Sequence, residues 1–170
     1  MAILDAYGLP DLSMRRLASA LGVQPSALYW HFENKQALLA ALADQMLAGL
    51  PPFDGTDWPA GLRLWASRLH ALIRRHRDGA ELVSSVLALR PWVDGPGAEV
   101  ERGLVAAGLD PAPAHAAATG ILHLVLGHAF DEEQRQRAAE LGVTPCGPPP
   151  DSAAVLNEAV ALLVTGLRPS

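Results

Sequence analysis

Cysteine is all but missing from this chain of 170 residues. Cys146 stands alone, which excludes an internal disulfide and any multi-cysteine metal site. Aromatic side chains make up only 5%, and runs of alternating β-branched residues are scarce, so no sheet is expected. The amino end lacks the charged segment and following apolar run of a signal peptide. No apolar run reaches the roughly 20 residues of a membrane span. The greasiest, Ala116 to Phe130, is broken by His123 and His128 and preceded by His115. A cytoplasmic protein without a membrane partner is the expectation. Gly-rich phosphate loops, nucleophile elbows and HExxH are lacking too, which speaks against an enzyme and calls for no cofactor.

A surplus of basic residues is also absent. The net charge is −5. Within residues 1–50, Arg15, Arg16 and Lys35 face Asp5, Asp11, Glu33 and Asp44, an excess of one negative charge. Any nucleic-acid partner would be held by few, well-placed contacts, with feeble non-specific binding.

What the chain does have is apolar helix formers. Half of it is hydrophobic, with Ala and Leu dominant, and that composition predicts an all-helical fold. Met1 to Tyr7 offers Ile3, Leu4 and Tyr7 as one face of a short helix ended by Gly8. Ser13 suits the cap of a helix that Gly22 closes, with Met14, Leu17, Ala18 and Leu21 as its apolar stripe. Pro25 fits the first turn of a second helix running to about Phe32. Its inward residues are Leu28 and Phe32, helped by Ala27, whereas Ser26, Tyr29, Trp30 and Glu33 share a different face. A tyrosine and a tryptophan side by side off the packing stripe either dock on another part of the chain or face a partner. Asn34 can cap a third helix, Lys35 to about Gly49, buried through Leu38, Leu39, Leu42 and Met46. Lys35 in its first turn opposes the helix dipole and fits better with an anion beside it.

Two helices joined by a glycine turn, the second showing flat and hydrogen-bonding side chains, fit a helix-turn-helix. The run LSMRRLASALGVQPSALYWHFENKQALLAALADQML resembles the DNA-binding domain of the tetracycline repressor family of transcriptional regulators. The resemblance implies that Arg15 contacts a base or phosphate. It implies further that Ser26, Ala27, Tyr29 and Trp30 face the groove, and that His31 and Lys35 hold the DNA backbone. Arginine pairing with guanine, small apolar groups meeting thymine methyls and phosphate contacts from lysine and histidine agree in kind. Pro25 departs from the pattern, standing where a base-reading glutamine occurs in the family, so the operator sequence should differ. Family members also carry a longer first helix behind a basic arm, so the expectation is either a start that falls late or a shortened head.

PPFDGTDWPAG after Leu50 reads as a linker between a head (1–50) and a body (51–170). The body should contain helices at Trp58 to His76, Asp78 to Leu89, Gly97 to Ala107, Pro113 to Leu141 and Asp151 to Leu167, with VTPCGPPPD as a stiff loop before the last. The arginines between 63 and 77 are expected on a solvated face. HRDGA at 76–80 and Arg90-Pro91 extend the resemblance. It implies a homodimer joined through 113–141 and 151–167 as a four-helix bundle, and a pocket for a small apolar effector lined by Trp65, His70, Trp92 and His123. A metal-liganding histidine known in the family has no counterpart in ELVSSVLAL, which argues against a magnesium–tetracycline complex.

The expectation is thus a ligand-responsive repressor that binds a palindromic double-stranded DNA operator as a homodimer. Two other readings stand beside it. One is a dimeric small-molecule sensor whose short head does not bind DNA. The other is a metal-dependent enzyme using His123, His128 and Asp131, with Glu132 in the same cluster; helical histidines beside carboxylates are most often simply hydrogen-bonded.

Overall fold

The computed structural model describes residues 1–143 and 151–167, without the side chain of residue 92. Most of the expected stiff loop, Cys146 included, lies outside the described residues. Among those described the fold is all helix: α1 Ala2–Tyr7, α2 Met14–Leu21, α3 Pro25–Tyr29, α4 Lys35–Leu47, α5 Trp58–Ile73, α6 Gly79–Leu87, α7 Pro96–Ala106, α8 Pro111–Glu140 and α9 Ser152–Gly166. A single 3₁₀ turn at Trp92–Asp94 precedes α7.

The helix ends follow from side-chain chemistry. The Ser13 hydroxyl accepts from the Arg16 N–H, and the Asn34 and Asp151 side chains accept from the Ala37 and Ala154 N–H groups, each satisfying a donor that the first turn leaves unpaired. Gly22 closes α2 in the left-handed region at φ 66°, where a side chain would strain. Helix α3 is shorter than expected. It ends at Tyr29, and Trp30 to Phe32 form the turn that leads to Asn34.

Helix α8 is the axis of the body. Its buried positions, among them Ala114, Ala118, Ile121, Leu122, Val125 and Ala129, follow the 3–4 spacing of one helical face. They pack against α5, α6, α7 and α9. Trp65, Leu69 and Ile73 of α5, Leu82 and Val83 of α6, and Leu156 and Val160 of α9 complete this core. The core also reaches into the head, taking Leu4, Leu9, Leu12, Leu39, Ala43 and Met46. A second, smaller core of Met14, Ala18, Leu28 and Leu38 holds α2, α3 and the start of α4 together. The helix-turn-helix is therefore a compact satellite, and α4 links the two cores.

Some stripe residues are placed otherwise than expected. Tyr7 and Leu21 are half or more exposed: α1 buries only Leu4, and α2 only Met14 and Ala18. On α9, Val155, Leu162 and Leu163 are also exposed, because the body covers one side of that helix only.

Candidate nucleic-acid interface and effector cavity

Helix α3 is anchored from beneath by Leu28, with Phe32 half-buried beside it. This leaves Ser26, Tyr29 and Trp30 outside, with Tyr29 54% and Trp30 90% exposed. An indole left in water forgoes stabilisation on the order of 3 kcal/mol that burial would bring. The ring is not used by the fold. Arg15, His31 and Lys35 are exposed on the same satellite, and Ala27 is half-buried. Arg16 is engaged locally: its guanidinium lies 4.9 Å from the centre of the Tyr7 ring and 3.6 Å from Asp11. Among the described residues neither Arg15 nor Lys35 has an ion-pair partner. The resulting surface offers two uncommitted cations, a hydroxyl and two flat rings, the groups that meet phosphates and base edges.

An apolar cavity of about 480 Å³ opens between α6, the start of α7 and α8. Leu87, Ala88, Pro91, Leu122, Leu126 and Phe130 form most of its wall, and Ser84 and His123 supply its polar side chains. Its volume suits a small organic molecule. Of the residues proposed for an effector whose side chains are described, only His123 lines it. Trp65 is 2% exposed in the main core, its indole N–H without a partner among the described residues. His70 turns to α8 and donates to Glu132 at 2.8 Å. The side chain of Trp92 lies outside the described residues, though its neighbour Pro91 borders the cavity.

The expected cluster of His128, Asp131 and Glu132 forms in altered company. Asp131 is exposed and apart, and His70 joins His128 and Glu132 instead. His123 points to the cavity and takes no part. Burial opposes ionisation of Glu132, but hydrogen bonds from Ser152 and His70, with the charges of His70 and Arg74, outweigh it and hold its carboxyl below the ordinary glutamate range. Nor are the arginines after Leu62 all solvated, since Arg74 pairs with Glu132 at 3.0 Å.

Polar contacts tie head to body at points that local sequence does not signal, the partners being 46 to 72 residues apart. Arg90, which precedes the cavity residue Pro91 in sequence, holds the Asp44 carboxylate with two N–H groups at 2.6 and 2.8 Å. That carboxyl is lowered from its ordinary value by the hydrogen bond and charge of Arg90, against the opposing effect of burial. Asp78, itself left-handed at φ 55° and 2% exposed, accepts the Leu9 N–H at 2.7 Å and pairs with Arg137. Asp5 accepts from His76 and from the Arg77 N–H.

A helix-turn-helix satellite set on a helical body with a ligand-sized cavity defines a class of protein: a helical module that presents α3 and can hold a small molecule behind it. Residues 1–42 match the family described as bacterial regulatory proteins, tetR family. The chain is 34% identical over 144 residues to the class C tetracycline repressor of Escherichia coli, covering 82% of this chain and 65% of that repressor, so it spans just under two thirds of that relative's length. BioQ of Mycobacterium smegmatis is 37% identical, with a TM-score of 0.84 over 97% of this chain and 91% of BioQ. A BioQ structure with its double-stranded DNA operator gives 36% identity and a TM-score of 0.71, over 95% of this chain and 92% of that one. A TetR variant of Acinetobacter baumannii in complex with minocycline is 31% identical with a TM-score of 0.78, over 97% of this chain and 89% of its own. The chain belongs to the tetR family of bacterial regulatory proteins.

Proposed function

We propose that this protein is a ligand-responsive transcriptional repressor that binds a palindromic operator as a homodimer, with α3 of each subunit in the major groove. The observation that carries this reading is the outward pair Tyr29 and Trp30, 54% and 90% exposed on an anchored helix. The operator complex of the related BioQ supports it. Tyr29, Ser26 and Arg15 reach base edges, Ala27 and Trp30 meet the groove wall, and His31 and Lys35 rest on phosphates. The head's slight negative charge makes these contacts the main source of affinity.

The effector is a small, largely apolar molecule in the cavity between α6 and α8; that a relative forms a complex with minocycline supports a small-molecule effector. Its wall is apolar save for Ser84 and His123, so shape and one or two hydrogen bonds set the selectivity. Leu87, Ala88 and Pro91 flank Arg90, whose guanidinium grips Asp44 on α4. An occupant that shifts the end of α6 moves this grip, and with it the helix that joins the two cores. Differential binding of the two arrangements supplies the coupling, typically about 1–3 kcal/mol.

Titration of the protein into DNA from upstream of its own gene, read by gel mobility at low salt, tests the reading. A discrete shift is expected. Tyr29→Ala should weaken that complex by about 1–3 kcal/mol and leave binding to random DNA nearly unchanged. Lys35→Gln should weaken both alike and reduce the salt slope by about one. An intact dimer that gives no shift would instead mark a sensor whose head is silent toward DNA.

A further inference from the structure

The cluster at the junction of α5, α8 and the start of α9 has ligand chemistry that neither DNA nor effector recognition uses. His70 Nε2 lies 2.8 Å from Oε2 of Glu132, and His128 Nε2 lies 3.8 Å from its Oε1. One ligand atom from each of the three residues falls within 4.8 Å of the other two. The two imidazoles are 5.6 Å apart and tilted by 53°, so they flank the carboxylate rather than stack. All three side chains are about 15% exposed.

We propose that His70, His128 and Glu132 form a binding site for a borderline divalent cation of the zinc class. Two imidazoles and one carboxylate are the donors such ions favour, whereas magnesium and calcium prefer all-oxygen shells. Zinc binds such donors at about 2.0–2.2 Å, which puts tetrahedral ligand atoms roughly 3.3 Å from one another. His128 Nε2 lies 3.8 Å from Oε1, and the three ligand atoms lie within 4.8 Å of one another, so side-chain adjustment of roughly an ångström completes the triad. Three protein ligands leave one position open. The carbonyl and hydroxyl oxygens of Ser152, each 2.8 Å from His128 Nε2, stand beside it, and water or Ser152 can fill it. Arg74, 3.0 Å from Oε2, sets a limit. It orients the carboxylate and leaves Oε1 for the ion, but its charge repels the cation and weakens the affinity. A bound ion would tie α5 to α8 beside the beginning of α9.

Titration of the full chain with zinc chloride by calorimetry, together with ¹H–¹⁵N spectra of the histidine rings, tests this without reference to DNA or effector. One ion per chain is expected, with the ring signals of His70 and His128 shifting and those of His31 and His115 unmoved. Glu132→Gln and His128→Gln should each weaken binding roughly tenfold or more, and His115→Gln should not. Absence of binding below millimolar zinc overturns the proposal, as does affinity that both site variants leave unchanged. Should a variant fail to fold, the wild-type spectra decide alone: shifts confined to the other histidines overturn the site, and shifts at His70 and His128 uphold it.

Discussion

Glu133 shows how one side chain can work against the fold that holds it. It is 7% exposed on α8 and accepts the Ala80 N–H at 3.1 Å. Burial and the charge of Asp78 raise its pKa above the ordinary glutamate value, only partly offset by the Ala80 hydrogen bond and by Arg74 and Arg137. The folded state therefore keeps the proton to higher pH than the unfolded chain does. Between the ordinary value and the raised one, the native protein binds more protons, and stability falls as pH rises through that window. Glu133→Gln keeps an oxygen for Ala80 and cannot ionise. Its melting temperature relative to wild type should climb as pH goes from about 4 to 7, measured by thermal unfolding at a series of pH values. A constant offset would mean that the carboxyl titrates alike in both states. Glu132, one residue earlier, has the opposite sign: its lowered pKa contributes stability above the ordinary glutamate range that is lost as pH falls through the lowered value.

At the scale of elements, the grip of Arg90 on Asp44 joins the segment that follows α6, where Ala88 and Pro91 line the cavity, to α4, and its worth lies in communication more than in stability. An ion pair this exposed contributes roughly 0–1 kcal/mol. Arg90→Ala should therefore leave the melting temperature nearly unchanged and operator affinity largely intact, but reduce the effect of an effector on that affinity by threefold or more, of order 1 kcal/mol of coupling. Mobility shifts with and without effector measure this, and an unchanged response would remove Arg90 from the route. Such joints were not legible in the sequence. The elements were, because their signals are local: Ser13 and Gly22 bound α2, Asn34 caps α4, and the apolar spacing of α8 marks a helix covered on several sides. The outward face of α3 was legible for the same reason, since Leu28 and Phe32 take the inward positions and leave Tyr29 and Trp30 none. Contacts made across 62 residues or more, such as His70 with Glu132 or Asp78 with Leu9, depend on how helices cross, which no periodicity encodes. That is why Trp65, an apolar-stripe residue like any other, could be named for a pocket it does not line, and why Asp131 was grouped with His128 by spacing although the side chains diverge.

For the molecule as a whole, the apolar surface left uncovered on α8 and α9 asks for a second copy. Phe130 is 41% exposed, and Val155, Leu162 and Leu163 are 46, 67 and 42% exposed. At Gly120 and Gly127 an added methyl group would meet nothing within 4 Å, so on α8 the face is open as well as greasy, and small residues there let another helix approach closely. Two such faces brought together by a twofold axis would bury these side chains as a four-helix bundle. His123, Gly127 and Phe130 also line the cavity, so the partner's helices would lie along one of its sides, and effector binding would be felt by both subunits. A charge at the centre of this face cannot be paired by its own symmetry copy, because like meets like across the axis. Leu162→Glu, 67% exposed in the single chain, should hence leave each subunit folded, with helix content unchanged, and convert the proposed dimer to a monomer in sedimentation at micromolar concentration. Operator affinity should fall with it, since one α3 reads half a palindrome and the second half-site about 34 Å away goes unmet. A variant that stays dimeric, or a monomer that holds the operator as tightly as wild type, would show that the two recognition helices are not joined through α8 and α9.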